Sequence, residues 1–458
     1  MHRSSLAHTR RIPDPLVIIC ALILLAQIAT YVLPSGEFDR DGRQVVRGTY
    51  HRVDAEPLPP FAFLTAIPRG MAEAHDIIFF IFVVGGVFGV LRATGATDAL
   101  IGAAITHLDG RPVYLVAGMV GLFALGSSTV GMAEEYLPFV PILVTMCLAM
   151  KMDAVVAVGM IYVGAGIGYG CAAVNPFTVL VAQDVAGVAL TSGQGVRWLL
   201  LLICAAVGVH HILRYVARLS RDPASSLVGD VDYSTGFPLP DDVRLTRRRG
   251  VVIAAFVAGL ALFVYGVAAW EWYLTELTAV FLGLGLVAAV VAGLGPSRVA
   301  SVFYAGAAEL TATALIVGFA RAIQVVLSDS RVLDTIINAL AAPLQSLPAH
   351  LSAVGMLGVQ TAINLFIVSG SGQAYVTMPI MAPLADLTGL TRQTAVLAYQ
   401  FGDGFTNMIV PTNALLMGVL GLSRIPYQRW VTFVAPLLVK LFLVAVVALM
   451  LAVELDYR

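Results

Sequence analysis

Apolar positions dominate this chain in runs near the roughly 20 residues a helix needs to cross a bilayer, with short polar stretches between them. Leu16–Leu33 is the first run, and the polar segment Pro34–Pro60, rich in Asp, Glu and Arg, reads as an ordered excursion outside the membrane. Plain spans are predicted over Ile77–Leu91, Trp198–Ile212, Val251–Ala268, Leu277–Ala292, Ala300–Leu327 and Trp430–Val453. Two other apolar regions are interrupted, and in the same way. The first has a Gly/Ser-rich turn at Gly126-Ser127-Ser128-Thr129-Val130-Gly131, passes Pro138 and Pro141, and breaks again at Val174-Asn175-Pro176-Phe177. The second turns at Ser369-Gly370-Ser371-Gly372, passes Pro379 and Pro383, and breaks between Asn407 and Pro411-Thr412-Asn413. Unwound backbone at membrane depth is tolerated only where protein or a wet cavity surrounds it. Paired interruptions at matching places in two halves are the sequence mark of a transporter's binding site.

The interruptions predict two hairpins and two broken helices. One hairpin covers 112–150, rising over Pro112–Leu125, turning at Ser127–Gly131 and descending to Lys151; the broken helix Ala154–Gly170 plus Phe177–Ala189 follows. The second hairpin covers His350–Leu384, and the second broken helix is Thr394–Val410 plus Ala414–Leu422. A register check supports duplication: Glu73 to Glu309, Asp98 to Asp334 and Val174 to Val410 share one shift of 236 residues. The chain therefore divides into a first helix with its excursion (1–60), a first repeat (61–215), a polar loop (216–250), connecting scaffold helices (251–295) and a second repeat (296–458). The expected fold is an all-α polytopic membrane protein, an inverted-repeat transporter with two re-entrant hairpins.

Composition agrees with a bilayer setting. Of 458 residues, 59% are hydrophobic and 12% charged, and mean hydropathy is +0.88, whereas soluble domains carry about 25% charged residues. Net charge is −1, which leaves no case for nucleic acid as a partner. Cys20, Cys147, Cys171 and Cys204 are scattered through apolar sequence and read as small core residues. Leu16–Leu33 is longer than the apolar core of a signal peptide, and no small-residue cleavage site follows it, so it reads as a retained helix.

Arg3, Arg10 and Arg11 place the N-terminus in the cytoplasm, and Arg218, Arg221, Arg244 and Arg247–Arg249 place the central loop there too. Entry of the two hairpins from opposite faces then puts the C-terminus outside, in the periplasm of a bacterial inner membrane. Trp270 and Trp272 are expected at an outer boundary and Trp430 at an inner one. His210 and His211 are expected at a cytoplasmic helix end.

At each turn, helix ends leave backbone N–H and C=O groups free to meet a ligand. N-terminal ends suit anions, and C-terminal ends with unwound carbonyls suit cations. Glu134 and Glu135 follow the first turn, Asp184 follows the first break, and Asp403 lies in the second broken helix. Ionisable groups inside spans are costly and mark function. Beside the breaks there is neither Lys nor Arg; the nearest are Lys151, Arg392 and Arg424. Such a site suits a cation, a proton, or a zwitterion with a cationic side chain. Arg321, with Gln324 nearby, is the basic residue deep in a helix, and it has Glu309 or another acid to pair with. The chain contains no P-loop, so direct ATP coupling within it is not expected. No cofactor is expected beyond a coupling Na+ or H+.

These residues resemble a known family. Ser127 to Glu135, Gly164-Ala165-Gly166-Ile167-Gly168 with Val174-Asn175-Pro176-Phe177, Ser369-Gly370-Ser371-Gly372-Gln373-Ala374, and Gln400-Phe401-Gly402-Asp403-Gly404 with Pro411-Thr412-Asn413 look like the YfcC-type carriers. Those are part of the DcuC-like (anaerobic dicarboxylate carrier-like) group of the ion transporter superfamily, and the likeness runs nearly end to end. More distantly, the breaks resemble those of the divalent-anion/sodium symporters. That resemblance implies two cation or substrate half-sites, Ser127, Ser128 and Thr129 with Asn175, and Ser369, Gly370 and Ser371 with Thr412 and Asn413, with Na+ at Ser128, Thr129, Asn175, Ser371 and Thr412; the acidic residues Glu134, Glu135 and Asp403, with Pro176, Gln373 and Asn407 beside the breaks, complete the expected substrate-binding set. Family tips read Ser-Asn-Thr, whereas these read Ser-Ser-Thr and Ser-Gly-Ser. The resemblance also implies a homodimer in the lipid bilayer with an elevator-like transport domain. Family members carry dicarboxylates or basic amino acids. The acidic surroundings of the breaks favour a basic or zwitterionic amino acid over a C4-dicarboxylate; an intramembrane enzyme would need a nucleophile–base pair or metal ligands that the breaks lack.

Overall fold

The computed structural model describes residues 15–41, 44–46, 48–97, 99, 111–129, 131–133, 136–137, 139–175, 177–233, 244–270, 272 and 274–458. Arg3, Arg10, Arg11, Asp98, Glu134, Glu135, Pro138 and Pro176 lie outside the described residues. In chain order the helices are α1 (Pro15–Val32), α2 (Ala62–Glu73), α3 (His75–Thr94), α4 (Pro112–Thr129) and α5 (Phe139–Ala149). Next come α6 (Ala154–Gly170, with a π-helical turn at Gly159–Val163), α7 (Val179–Ala186), α8 (Gln194–Arg221), α9 (Arg247–Trp270) and α10 (Leu274–Ala292). The rest are α11 (Pro296–Glu309), α12 (Thr311–Asp329), α13 (Leu333–Ala341), α14 (Ala349–Asn364), α15 (Gly370–Leu387), α16 (Arg392–Thr406), α17 (Ala414–Leu422) and α18 (Tyr427–Glu454). Among the described residues α4, α8 and α18 are long and apolar enough to cross a membrane, and the pair α2 and α3, bent by 57°, makes a fourth if taken as one span.

The polar excursion is ordered, as its composition suggests. It forms two short antiparallel pairs, Gly36–Glu37 with His51–Arg52 and Arg40–Asp41 with Gln44–Val45. It docks on α13, where the buried Asp334 accepts from Arg40 Nη2 (2.8 and 2.9 Å) and from the Phe38 amide (3.1 Å).

Several boundaries differ from expectation, each for a local reason. The expected span Ala300–Leu327 is two helices that meet at Leu310, and Ile77–Leu91 is preceded across Ala74 by a separate helix, α2. Helical geometry in α4 continues through Ser127, Ser128 and Thr129; the chain turns later, near Gly131, whose φ of 79° is readily available to glycine. The second turn comes earlier than expected, at 365–369, because Ser369 caps α15 by accepting from the Gly372 amide. Trp430 is not interfacial: it is fully buried, and its indole N–H donates to the Met408 carbonyl (2.8 Å) where α16 has ended. His211 lies inside α8 rather than at its end, with Nε2 2.9 Å from the Phe433 carbonyl.

Two helix pairs mirror each other. α2 ends at Glu73 and α11 at Glu309, the residues related by the 236-residue shift, and each is followed after one residue by a long helix. α2 packs on α12, and α11 packs on α3. At both crossings a glycine permits backbone contact: a Cβ on Gly70 would lie 2.6 Å from the Gly318 carbonyl oxygen, and one on Gly306 would lie 2.1 Å from that of Gly85. Each glutamate pairs with an arginine of the opposite half. Glu73 accepts from Arg321 Nε (3.1 Å), and Glu309 from Arg92 Nη2 (2.8 Å).

Candidate functional site

A cavity of about 430 Å³ opens where the second hairpin turn, both broken helices and the α2/α3/α12 wall meet. On the side of the turns and breaks, described helices begin at it. Ser369, Gly370 and Ser371 line it at the start of α15, Thr412 to Leu415 at the start of α17, and Phe177 with Thr178 at the start of α7. Helices also end there, with Tyr169 in α6, Leu365 just past α14, and Asp403, Gly404 and Asn407 at the end of α16. The cavity therefore offers donor-rich helix starts and acceptor-rich helix ends side by side.

Asp403 is the buried carboxyl group of this site. Its Oδ1 accepts from Asn364 Nδ2 (2.9 Å) and Asn407 Nδ2 (3.0 Å), while Oδ2 has no partner among the described residues. Asn407 is held in turn by Asn413 Nδ2 (2.9 Å to Oδ1), and Asn413 Oδ1 caps α17 by accepting from the Leu416 amide (3.1 Å). Thr412 Oγ1 donates to the Leu365 carbonyl (3.1 Å) and ties the break to the turn. Gln373, fully buried and off the lining, donates to Gln360 Oε1 (2.7 Å) and accepts from Asn364 (3.1 Å). It orients Asn364 rather than reaching the cavity.

The first turn is built differently. Ser127 and Ser128 are fully buried and do not line the cavity. Ser127 Oγ meets Tyr136 Oη at 2.6 Å, and Ser128 Oγ accepts from the Ala173 amide at 2.9 Å. Thr129 Oγ1 donates back to the Leu125 carbonyl. Asn175 also lies off the lining. Its Nδ2 donates to the Ser127 carbonyl (2.7 Å), and its Oδ1 accepts from the Phe177 and Thr178 amides (2.8 and 3.2 Å). It holds the turn against the break. Tyr169 Oη donates to the Gly131 carbonyl (2.7 Å), and Tyr399 Oη does the same for the Gly370 carbonyl (2.6 Å), so a tyrosine of each broken helix pins a turn. Asn175→Ala leaves up to three backbone groups without partners, two of them buried. It is expected to cost about 2–4 kcal/mol, read as a lower midpoint in a detergent thermal melt, with Asn175→Asp keeping the two acceptor contacts and losing less.

The opposite wall comes from α2, α3 and α12. Glu73, Asp76 and Arg321 line it, with Arg321 Nη1 also donating to Gln324 Oε1 (2.7 Å). The partner of Arg321 is thus Glu73, not Glu309. Among the described residues, the carboxyl and basic side chains of the lining are Glu73, Asp76 and Asp403 against Arg321, which is already paired. Of the expected site residues, Ser369, Gly370, Ser371, Asp403, Asn407, Thr412 and Asn413 line the cavity, whereas Asp184 is exposed outside it. Sequence reasoning did not single out Asn364, Tyr169, Tyr399 or Asp76 as site residues. Asn364, an amide just before a Gly/Ser turn in an apolar run, was the signal available.

A sequence profile of the C4-dicarboxylate anaerobic carrier family, DcuC, matches residues 12–454. A protein of Escherichia coli (strain K12), named "Putative basic amino acid antiporter YfcC", is 34% identical over 98% of both chains. An uncharacterized protein of Haemophilus influenzae is 32% identical over 90% of this chain and 82% of its own. Among solved structures, the Alcanivorax borkumensis YdaH transporter aligns over 97% of this chain and 99% of its own, at 16% identity and a TM-score of 0.46.

Proposed function

The chain belongs to the YfcC-type carriers of the DcuC family, membrane transporters rather than enzymes, and from that premise we propose that its cargo is a basic or zwitterionic amino acid moved by secondary active transport. The observation that carries this reading is the cavity's mixed polarity. Helix starts at α15, α17 and α7 suit an α-carboxylate, while Asp403, Glu73 and Asp76 suit cationic groups and leave the lining net acidic. A C4-dicarboxylate would bring two negative charges to a site whose one arginine is already engaged. Antiport, the activity in the name of the Escherichia coli relative, fits such a carrier.

The mirrored helix pairs support an inverted repeat of 61–215 and 296–458, with hairpins 112–150 and 350–384 entering from opposite faces. In this reading α2, α3, α11 and α12 belong to a fixed, dimerising scaffold, and the turns with α6, α7, α16 and α17 move against it as an elevator. The membrane is the bacterial inner membrane, the N-terminus cytoplasmic and the C-terminus periplasmic. Glu134 and Glu135, which follow the first turn in the sequence, belong to the same acidic reading. Labelled arginine is expected to accumulate saturably in proteoliposomes and to exchange with internal arginine or ornithine, with succinate failing to compete. Saturable succinate uptake untouched by excess arginine would replace this reading with the dicarboxylate one.

A further inference from the structure

Four buried side-chain oxygens without a hydrogen-bond partner among the described residues sit on two packed helices: Thr361 Oγ1 and Asn364 Oδ1 on α14, Asp403 Oδ2 and Thr406 Oγ1 on α16. Helical register gathers them. Thr361 and Asn364 are three residues apart on one helix face, as are Asp403 and Thr406 on the other. The faces touch: Asn364 Nδ2 reaches Asp403 Oδ1 at 2.9 Å, and a Cβ on Gly402 would lie 3.0 Å from the Thr361 amide nitrogen. Asn364 spends its NH₂ on Asp403 and Gln373, so its carbonyl oxygen is left over. Asp403 takes both available amides on Oδ1, which leaves Oδ2 bare. Both helices also end here, with their unpaired carbonyls at the negative pole.

We propose that these four oxygens form a Na+ site, one layer behind the substrate cavity and distinct from the turn hydroxyls. Buried oxygens without donors are unfavourable, and a buried carboxylate without a positive partner more so. A proton on Asp403 would satisfy two oxygens at most. A hard cation uses the lone pairs of all four, and one carboxylate among neutral ligands balances one positive charge. A small oxygen set suits Na+ better than the larger K+. The hydroxyls at the turn are otherwise engaged, since Ser369 caps α15 and Thr412 donates to the Leu365 carbonyl. The ion reaches its site from the cavity, which Asp403 lines.

The position also supplies a coupling device, which rests on the amino-acid reading above. Asp403 Oδ2 is 3.2 Å from where a Cβ of Gly370 would be, beside the helix start that would receive the substrate's carboxylate. With the cation site empty, the Asp403 charge opposes that carboxylate. With Na+ bound the opposition is gone, so the ion must precede the substrate.

The test needs no substrate. Full-length protein in detergent is melted while NaCl replaces choline chloride at constant ionic strength and pH. A saturable rise in midpoint of about 5 °C is expected, absent in Asp403→Asn. Thr406→Val should need about tenfold more Na+ for half its rise, and Thr406→Ser should restore it. An equal rise with KCl, a rise reproduced by lowering pH in choline, or an unaltered Na+ response in Asp403→Asn or Thr406→Val would overturn the site. A Na+-specific rise together with failed arginine uptake would remove the substrate reading alone. Saturable arginine uptake without any Na+ rise would remove this inference alone.

Discussion

Gly404→Ala is expected to leave little folded protein in the membrane and no measurable uptake. The two broken helices meet backbone to backbone at this residue. A Cβ on Gly404 would lie 2.1 Å from the Gly170 amide nitrogen and 2.4 Å from its Cα, so no side chain can rotate away to relieve the overlap. The helices must part instead. α6 cannot retreat, because its other face is equally close to α4: Cβ atoms on Gly164 and Gly168 would lie 2.9 and 2.4 Å from the Val120 and Ala124 carbonyl oxygens. Glycines at 164 and 168 thus serve one helix face, and those at 166 and 170 serve the face toward Met408 and Phe405. Parting α6 from α16 would also pull Gln400 from its place between them, where its amide, oriented to donate to the Tyr169 carbonyl and accept from the Val179 amide, makes two 2.7 Å contacts. The cost is about 3 kcal/mol or more. Gly358→Ala is the control. That glycine is also helical but faces open space, so alanine should be neutral or raise stability by about 0.5 kcal/mol. Membrane expression, monodispersity and thermal midpoint read both variants; a Gly404→Ala protein as stable as Gly358→Ala would refute the crossing.

The same glycines show what the sequence makes legible. Gly164-Ala165-Gly166-Ile167-Gly168 marks close packing in lipid, and its helix runs over Ala154–Gly170 as expected. Asn175 and Asn413 mark the breaks because an Asn side chain can both accept from free amides and donate to a carbonyl, and both do so. What escapes is anything decided between distant segments. The breaks at Ala74 and Leu310 carry no Gly or Pro, and only the glutamates one position earlier hint at them. Ser127 and Ser128 have the composition of a ligand site, but which way a hydroxyl faces depends on Tyr136 and Ala173, which the local pattern does not contain. Trp430 looks interfacial until the break before it leaves the Met408 carbonyl in need of a donor. Arg321 could be seen as lone and basic, but its partner, Glu73, is 248 residues away.

Asp403→Asn is expected to lower arginine uptake about a hundredfold while leaving the protein as stable as before or more so. The substitution is nearly isosteric. The amide oxygen of asparagine can still accept from Asn364 and Asn407, so the chain of amides from Asn364 through Asn407 to Asn413 survives. Its NH₂ would take the place of the bare Oδ2 and can donate to the equally bare Asn364 Oδ1, which settles two unpaired atoms at once. Folding therefore loses nothing, and a buried uncompensated charge is gone. Transport loses the one carboxyl group that the broken helices place at the cavity among the described residues. A desolvated charge contact of this kind is worth about 2–5 kcal/mol to whatever cation it holds, whether the substrate's own ammonium or a coupling ion. Opposite signs in the two readouts separate function from fold: a merely structural Asp403 would lower the melting midpoint together with uptake, and an idle one would change neither. Glu73→Gln gives the comparison on the facing wall. It frees Arg321 and turns the lining less acidic, so it should weaken arginine binding, read as a raised KM, while the cavity still admits substrate. Uptake by Asp403→Asn within threefold of the parent would take the central charge out of the mechanism.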